Sequence, residues 1–158
     1  MGKNYWLFKT EPSTYSIDDL KKSKQGKDIW DGVRNFQARN FLRDDVKKGD
    51  LVFIYHSSCK VPGIAGLAKV TREKLPDPTS WDKKSSYYDP KSTKEKPRWF
   101  MVEIAFVKKF KNLIPLDKLK SVKLKSVKEL DGFQLLKKGN RLSILPVSNK
   151  YFEVINNL

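Results

Sequence analysis

Apolar residues fall along this chain in short runs of two different periods. Asn4 to Lys9 (NYWLFK) is aromatic and β-prone, and predicts a strand that Pro12, Ser13 and Thr14 break. Ser16, with Asp19 three residues on, has the form of a helix N-cap. Ile17 and Leu20 then supply a short apolar face through Lys24. Gln25-Gly26-Lys27 ends that helix, and Asp28-Ile29-Trp30 reads as a brief extended stretch. Phe36, Ala38, Phe41 and Leu42 recur at helical spacing between Asn35 and Arg43, and the pattern stops before Gly49. Leu51 to His56 (LVFIYH) and the IAGLAKVTR run after Val61-Pro62-Gly63 predict two strands paired as an antiparallel hairpin. Gly63 and Gly66 are placed for a bulge or a close backbone approach.

The second half continues in the same way. Residues 73 to 97 are polar and rich in Pro, Asp, Ser and Lys, and read as one long loop of the kind that carries function. Trp99 to Phe110 is the longest strand candidate. Short helices are expected near 116–121 and 126–137, the second ended by Gly139. Arg141 to Val147 gives a last strand, and Ser148 caps a final helix through Asn157. Strands dominate and helices interrupt them. That order predicts a single α+β domain over 1–158, a mixed or antiparallel β-barrel of about 5–6 strands with peripheral helices, rather than a doubly wound sheet.

Composition narrows the function classes. The 158 residues are 39% hydrophobic and 32% charged, a globular balance. No apolar run approaches a membrane span, and the N-terminus lacks a signal-peptide core. One cysteine, Cys59, and one histidine, His56, make neither a disulfide framework nor a structural zinc site, so a reducing, cytoplasmic setting is expected, and no metal. The 33 basic residues against 18 acidic ones give +15, a field that attracts polyanions. Lysine accounts for most of that excess and can follow genome composition. Attention therefore shifts to the six arginines, at 34, 39, 43, 72, 98 and 141.

Few residues offer chemistry. No G-x-G-x-x-G or Walker pattern is present, and no cofactor is expected. Trp6 and Trp99 lie in strand patterns and read as core. Trp30 and Trp81 each precede an aspartate (Asp31, Asp82) in polar surroundings. There an indole is either a stacking platform for a base or a plug at one end of the fold. His56, in Tyr55-His56-Ser57, would serve a small hydrolase as a base with a carboxylate. No G-x-S-x-G elbow accompanies it, and a hydrogen-bonded structural histidine is the simpler reading. Lys83, Lys84, Lys91, Lys94, Lys96 and Arg98 are interleaved with Trp81, Tyr87, Tyr88 and Trp99, a mixture suited to a nucleic-acid groove. The cluster at Lys21, Lys22, Lys24 and Lys27 reads as a solvated helix face.

Several stretches resemble the EVE domain family in family order: YWLFKTEPSTYSIDDL, WDGVRNFQARNFLR, GDLVFIYHSS, GIAGLAKV, PDPTSWD, YYDPKS, PRW and KKGNRLSILPV. The resemblance implies a PUA-like fold related to ASCH and YTH domains. It also implies a non-enzymatic role in binding modified bases, above all 5-methylcytosine and its oxidised forms in DNA. Lys9-Thr10-Glu11, Ile29-Trp30-Asp31 and Gly139-Asn140-Arg141 look like the base-reading segments of YTH domains. Glu11, where those carry asparagine, suits the exocyclic amine of cytosine better than adenine. The implied pocket comprises Lys9, Thr10, Glu11, Trp30, Asp31, Tyr55, His56, Ser57, Trp81 and Tyr88. Lys83, Lys91, Arg98 and Arg141 would hold phosphates. A monomer binding DNA at a flipped modified cytosine is the leading expectation, in the cytoplasm or nucleoid of a bacterium or the nucleus of a eukaryote. An RNA-binding PUA-like domain acting on modified tRNA or rRNA, and a small His56 hydrolase, are the alternatives.

Overall fold

In the computed structural model, which describes residues 4–125, 134–136 and 142–158, alternating burial along each strand explains the architecture. Along β1 (Tyr5–Thr10), Trp6 and Phe8 point into one apolar cluster while Leu7 points into another. β3 (Leu51–His56) divides the same way, Val52 and Ile54 against Phe53 and Tyr55. A sheet buried on both faces needs nearly continuous apolar strands, which these are.

The six strands form one mixed sheet. β2 is Lys27–Trp30, β4 Gly63–Pro76, β5 Phe100–Pro115 and β6 Ile144–Val147, and the spatial order is β2-β5-β4-β3-β1-β6. Among the described residues only β1 and β3 are parallel, pairing Tyr5 with Leu51 through Thr10 with His56. The expected β3–β4 hairpin is present and antiparallel. β4 and β5 are long and repeatedly bulged. At Gly66 a side chain would stand 2.5 Å from the Lys108 carbonyl and 2.9 Å from Ile17, so only glycine lets β4, β5 and the first helix approach so closely.

The helices close the two faces. α1 (Ile17–Lys22) begins at the predicted Ser16 cap. The Ser16 hydroxyl accepts from the Asp19 N–H, and the Asp19 carboxylate accepts from the Ser16 N–H. α2 (Phe36–Asn40) is capped by Asn35 and runs on into a wider turn at Phe41–Asp45. Ile17, Leu20, Ala38 and Leu42 from this pair bury against Trp6, Phe8, Ile54 and Ile104. On the opposite face α3 (Leu116–Lys125) and α4 (Asn149–Asn156) contribute Leu119 and Ile155 beside Leu7, Phe53 and Leu145.

Three expectations change. Among the described residues the sheet does not close into a barrel: β2 and β6 are edge strands with no ladder between them. Each has four residues, and Pro146 in β6 lacks an amide donor, as suits an edge. The first residues of the expected 73–97 loop belong to β4, which runs to Pro76 and pairs with Phe100. The last strand begins at Ile144. The helix expected over 126–137 lies largely outside the described residues, as does Arg141.

Candidate base-binding cleft

The missing ladder leaves a cleft. Its walls are the end of β1 with the turn after it (Lys9, Thr10, Glu11, Thr14, Tyr15) and the end of β2 with the segment after it (Ile29 to Arg34). Tyr87 and Ser143 complete the lining. The volume, about 540 Å³, falls within the roughly 300–1,000 Å³ of sites for small organic groups. β6 approaches from the β1 side, where the Lys9 N–H donates to the Ser143 carbonyl at 2.8 Å.

Trp30 is fixed in this cleft without being sealed. Its ring lies 5.3 Å from that of Phe8 at 49°, and Tyr15 meets it edge-on at 6.1 Å and 89°. It stays partly exposed. Tyr15 is held in turn: its hydroxyl donates to Asp28 Oδ2 at 2.6 Å, and its carbonyl accepts from the Thr10 hydroxyl at 2.8 Å. Burial, reinforced by the Asp28 carboxylate, pushes the Tyr15 phenol well above its ordinary value, so it stays protonated. The indole is thus held by two rings and still opens on the cleft.

Charged groups surround the aromatic wall. Burial holds the Lys9 ammonium below its ordinary pKa. The Asp31 side chain reaches solvent, yet the protein beside it removes enough water, with help from the nearby Asp77 charge, to push its carboxyl up. No described residue pairs with the side chain of Glu11. The cleft therefore presents two cations, Lys9 and Arg34, and two carboxylates, Glu11 and Asp31, around a fixed indole.

The far wall depends on a carboxylate that sequence reasoning missed. Asp77, fully buried, accepts from the Gly32 N–H (2.9 Å), Arg34 Nη1 (3.0 Å), the Thr79 N–H (2.9 Å) and the Thr79 hydroxyl (2.6 Å). Burial opposes its charge, but these donors outweigh burial and hold its pKa below the ordinary carboxylate value. Arg34 also donates to the Tyr87 carbonyl and the Thr79 hydroxyl, tying the 77–99 loop to the end of β2. Gly32 sits at φ +75° with the Tyr87 ring where a Cβ would be.

Of the ten residues expected in a pocket, the cleft gathers Lys9, Thr10, Glu11, Trp30 and Asp31. The other five lie elsewhere. Tyr55 is buried in the core of the opposite face, where burial pushes its phenol up to about 12. His56 Nε2 accepts from the Ile17 N–H at 3.1 Å, and burial lowers its pKa, which favours the neutral ring. Ser57 turns its N–H and hydroxyl to the Thr10 carbonyl. Trp81 and Tyr88 belong to the 77–99 loop but do not line the cleft; Tyr87 does. Lys83 and Lys91 are exposed on that loop, and Arg98 pairs with Asp89 at 3.4 Å. No described carboxylate bonds to His56. Among the described residues no cluster of three metal-ligating side chains forms.

Comparison with known proteins decides the family. The EVE domain model matches residues 4–158. The chain belongs to the EVE domain family. This EVE domain is 42% identical to human thymocyte nuclear protein 1, in a match covering 98% of this chain and 73% of the human protein. The crystal structure of human THYN1 protein in complex with 5-methylcytosine-containing DNA superposes with a TM-score of 0.91 at 41% identity, covering 98% of this chain and 96% of that one. A protein of Pseudomonas syringae superposes at 0.88 with 46% identity, covering 97% of each chain. No helix among the described residues is long and apolar enough to cross a membrane.

Proposed function

We propose that this EVE domain is a non-enzymatic reader of DNA, acting as a monomer, that receives one extruded modified cytosine in the cleft beside Trp30. The observation that carries the reading is the fixed, half-open indole sharing one cleft with two carboxylates and a half-buried lysine. The human relative seen with 5-methylcytosine-containing DNA supports it.

The chemistry follows from the groups present. A base stacked in a duplex hides both its faces, so it must leave the helix at a cost of a few kcal/mol. Stacking on Trp30, worth about 1–3 kcal/mol, offsets much of that. Glu11 and Asp31 accept from the exocyclic amine of cytosine, and Lys9 donates to its ring carbonyl. Thr10 acts one step back, positioning Tyr15 beside the indole. Lys83, Lys91, Arg98 and Arg141 hold phosphates, so affinity falls with salt. For roughly four phosphates the slope of log K against log salt is about −3 to −4.

The test is a binding series on oligonucleotides identical except for one base: cytosine, 5-methylcytosine, and the RNA counterpart. The reading predicts tightest binding to the methylated DNA, with no base released or converted. Equal affinity for all three, or turnover of the base, would overturn it.

A further inference from the structure

Beside the cleft lies a second feature that the pocket reading leaves unused. Phe36, the first residue of α2, is 49% exposed although its ring stacks on Trp99 at 4.8 Å and 20°. The Arg39 and Arg98 guanidiniums lie 5.0 and 5.4 Å from the Phe36 ring centre. Trp99 also has the Arg34 guanidinium 5.2 Å from its own ring, and Arg34 lines the cleft. The stack thus continues outward from the cleft wall.

Its charges are unevenly matched. Arg43 pairs with Asp44 at 2.8 Å and Arg98 with Asp89 at 3.4 Å. Arg39 makes no ion pair among the described residues; it donates only to the Arg98 carbonyl and to Asn40. Burial, and then the positive charges of Arg43 and Arg98, depress its pKa, so a neighbouring anion would relieve it. Four of the six arginines, at 34, 39, 43 and 98, gather on this side. Planar cations around an exposed ring match a nucleic-acid strand: guanidinium forks take phosphate oxygens and the ring takes a base face.

The geometry points to a strand-holding ledge beside the cleft, in which Arg39 and Arg98 grip phosphates flanking the extruded nucleotide and Phe36 presents the surface on which the adjacent base stacks. This ledge rests on the cleft reading for its register but binds a different part of the ligand. The cleft takes the extruded base, and the ledge takes the strand that base leaves.

The experiment measures wild type, Phe36→Ala, Phe36→Tyr, Arg39→Gln and Arg39→Lys, each first checked for an unchanged melting profile. The probes are a short duplex with one 5-methylcytosine and the free nucleoside 5-methyl-2′-deoxycytidine. Phe36→Ala should weaken duplex binding about 5- to 150-fold, leave nucleoside binding unchanged, and be rescued by Phe36→Tyr. Arg39→Gln should reduce the salt slope by about 1, and Arg39→Lys should keep it. Folded Phe36→Ala and Arg39→Gln proteins that bind duplex like wild type would overturn the ledge and spare the cleft. Equal losses of duplex and nucleoside binding in Phe36→Ala would also overturn it, since the change would then act through Arg34 on the cleft. If wild type ignores the nucleoside but Phe36 and Arg39 still govern duplex affinity, the ledge stands and the cleft reading fails. If wild type binds neither probe, both fail.

Discussion

The ends of β2 and β3 carry similar residues and do opposite things with them. β3 ends in Tyr55, His56 and Ser57, a set with the look of an active site. The fold uses that set up: the phenol is in the core, the imidazole accepts from the first N–H of α1, and the serine meets the Thr10 carbonyl. β2 ends in Trp30 and Asp31, a plainer pair. No described strand pairs with the free edge of β2, and Ile29, Trp30 and Asp31 line the gap with β1. The lesson is that a neighbouring strand or helix consumes polar groups and an unpaired edge spares them. Function is expected where the sheet stops short of closing.

The sharpest way to break this comparison is to remove the carboxylate that builds the cleft wall. Asp77→Ala strands Arg34 and the Gly32 and Thr79 amides. Breaking a buried ion pair of this kind costs about 3–5 kcal/mol, read as a lower urea midpoint. The pH dependence has a definite sign. The folded pKa of Asp77 lies below its ordinary value of about 3.9. Its contribution is therefore fully present above about pH 3.9 and lost as pH falls from that value through the folded pKa. Asp77→Ala should show a shallower acid unfolding than wild type. A variant as stable as wild type would show that the loop does not hang on this contact.

Next in size is Trp30. Trp30→Leu keeps apolar packing against Phe8 but loses the indole face. It should lower affinity for methylated DNA about 5- to 150-fold with little change in melting. A large loss of melting temperature with undiminished affinity would make Trp30 a core residue.

His56 is the control on the other side. His56→Ala removes the acceptor for the Ile17 N–H, and stability should drop by about 1–3 kcal/mol with DNA affinity unchanged. Burial depresses the histidine's pKa. Wild-type stability should therefore decline as pH falls below about 6.5 toward the folded value, because the unfolded chain takes up the proton first. The variant should lack that decline. A loss of binding in a folded His56→Ala protein would move the site to the β3 end. The smallest effect is the methyl group itself. Burial of one methyl contributes about 0.8 kcal/mol, so methylated and plain cytosine should differ by only a few-fold in affinity. A difference beyond a hundredfold would mean a closed cage that this open cleft does not provide.

How much of this could be read in advance varies with the range of the interaction. Ser16 and Asp19 announced α1 because a capping box is local. β1 and β3 were legible as apolar runs, but their parallel pairing was not, since period carries no partner information. The expected strand stops short of the end of β4 because Glu73 and Lys74 look like loop residues, and Lys74 indeed takes a left-handed φ of 51° within the strand. In the site, Lys9, Thr10, Glu11, Trp30 and Asp31 lie at strand ends within quoted motifs. Arg34, Asp77 and Tyr87 come together only through contacts spanning 43 to 53 residues, which no spacing rule reaches. Tyr15 carries no signal of its own between Thr14 and Ser16, and its place beside the indole emerges only when β1 and β2 face each other.

The most direct test sets the two strand ends against each other in one titration. Chemical shifts of the ¹⁵N-labelled protein are followed as 5-methyl-2′-deoxycytidine is added. The Trp30 indole resonance is assigned by its disappearance in Trp30→Leu. The account predicts shifts at the Trp30 indole and at the Lys9, Asp31 and Gly32 amides, with the Ile17 and Ser57 amides at the His56 end unmoved. Shifts centred on Ile17 and Ser57 with Trp30 silent, or no shifts at all at millimolar nucleoside, would contradict it.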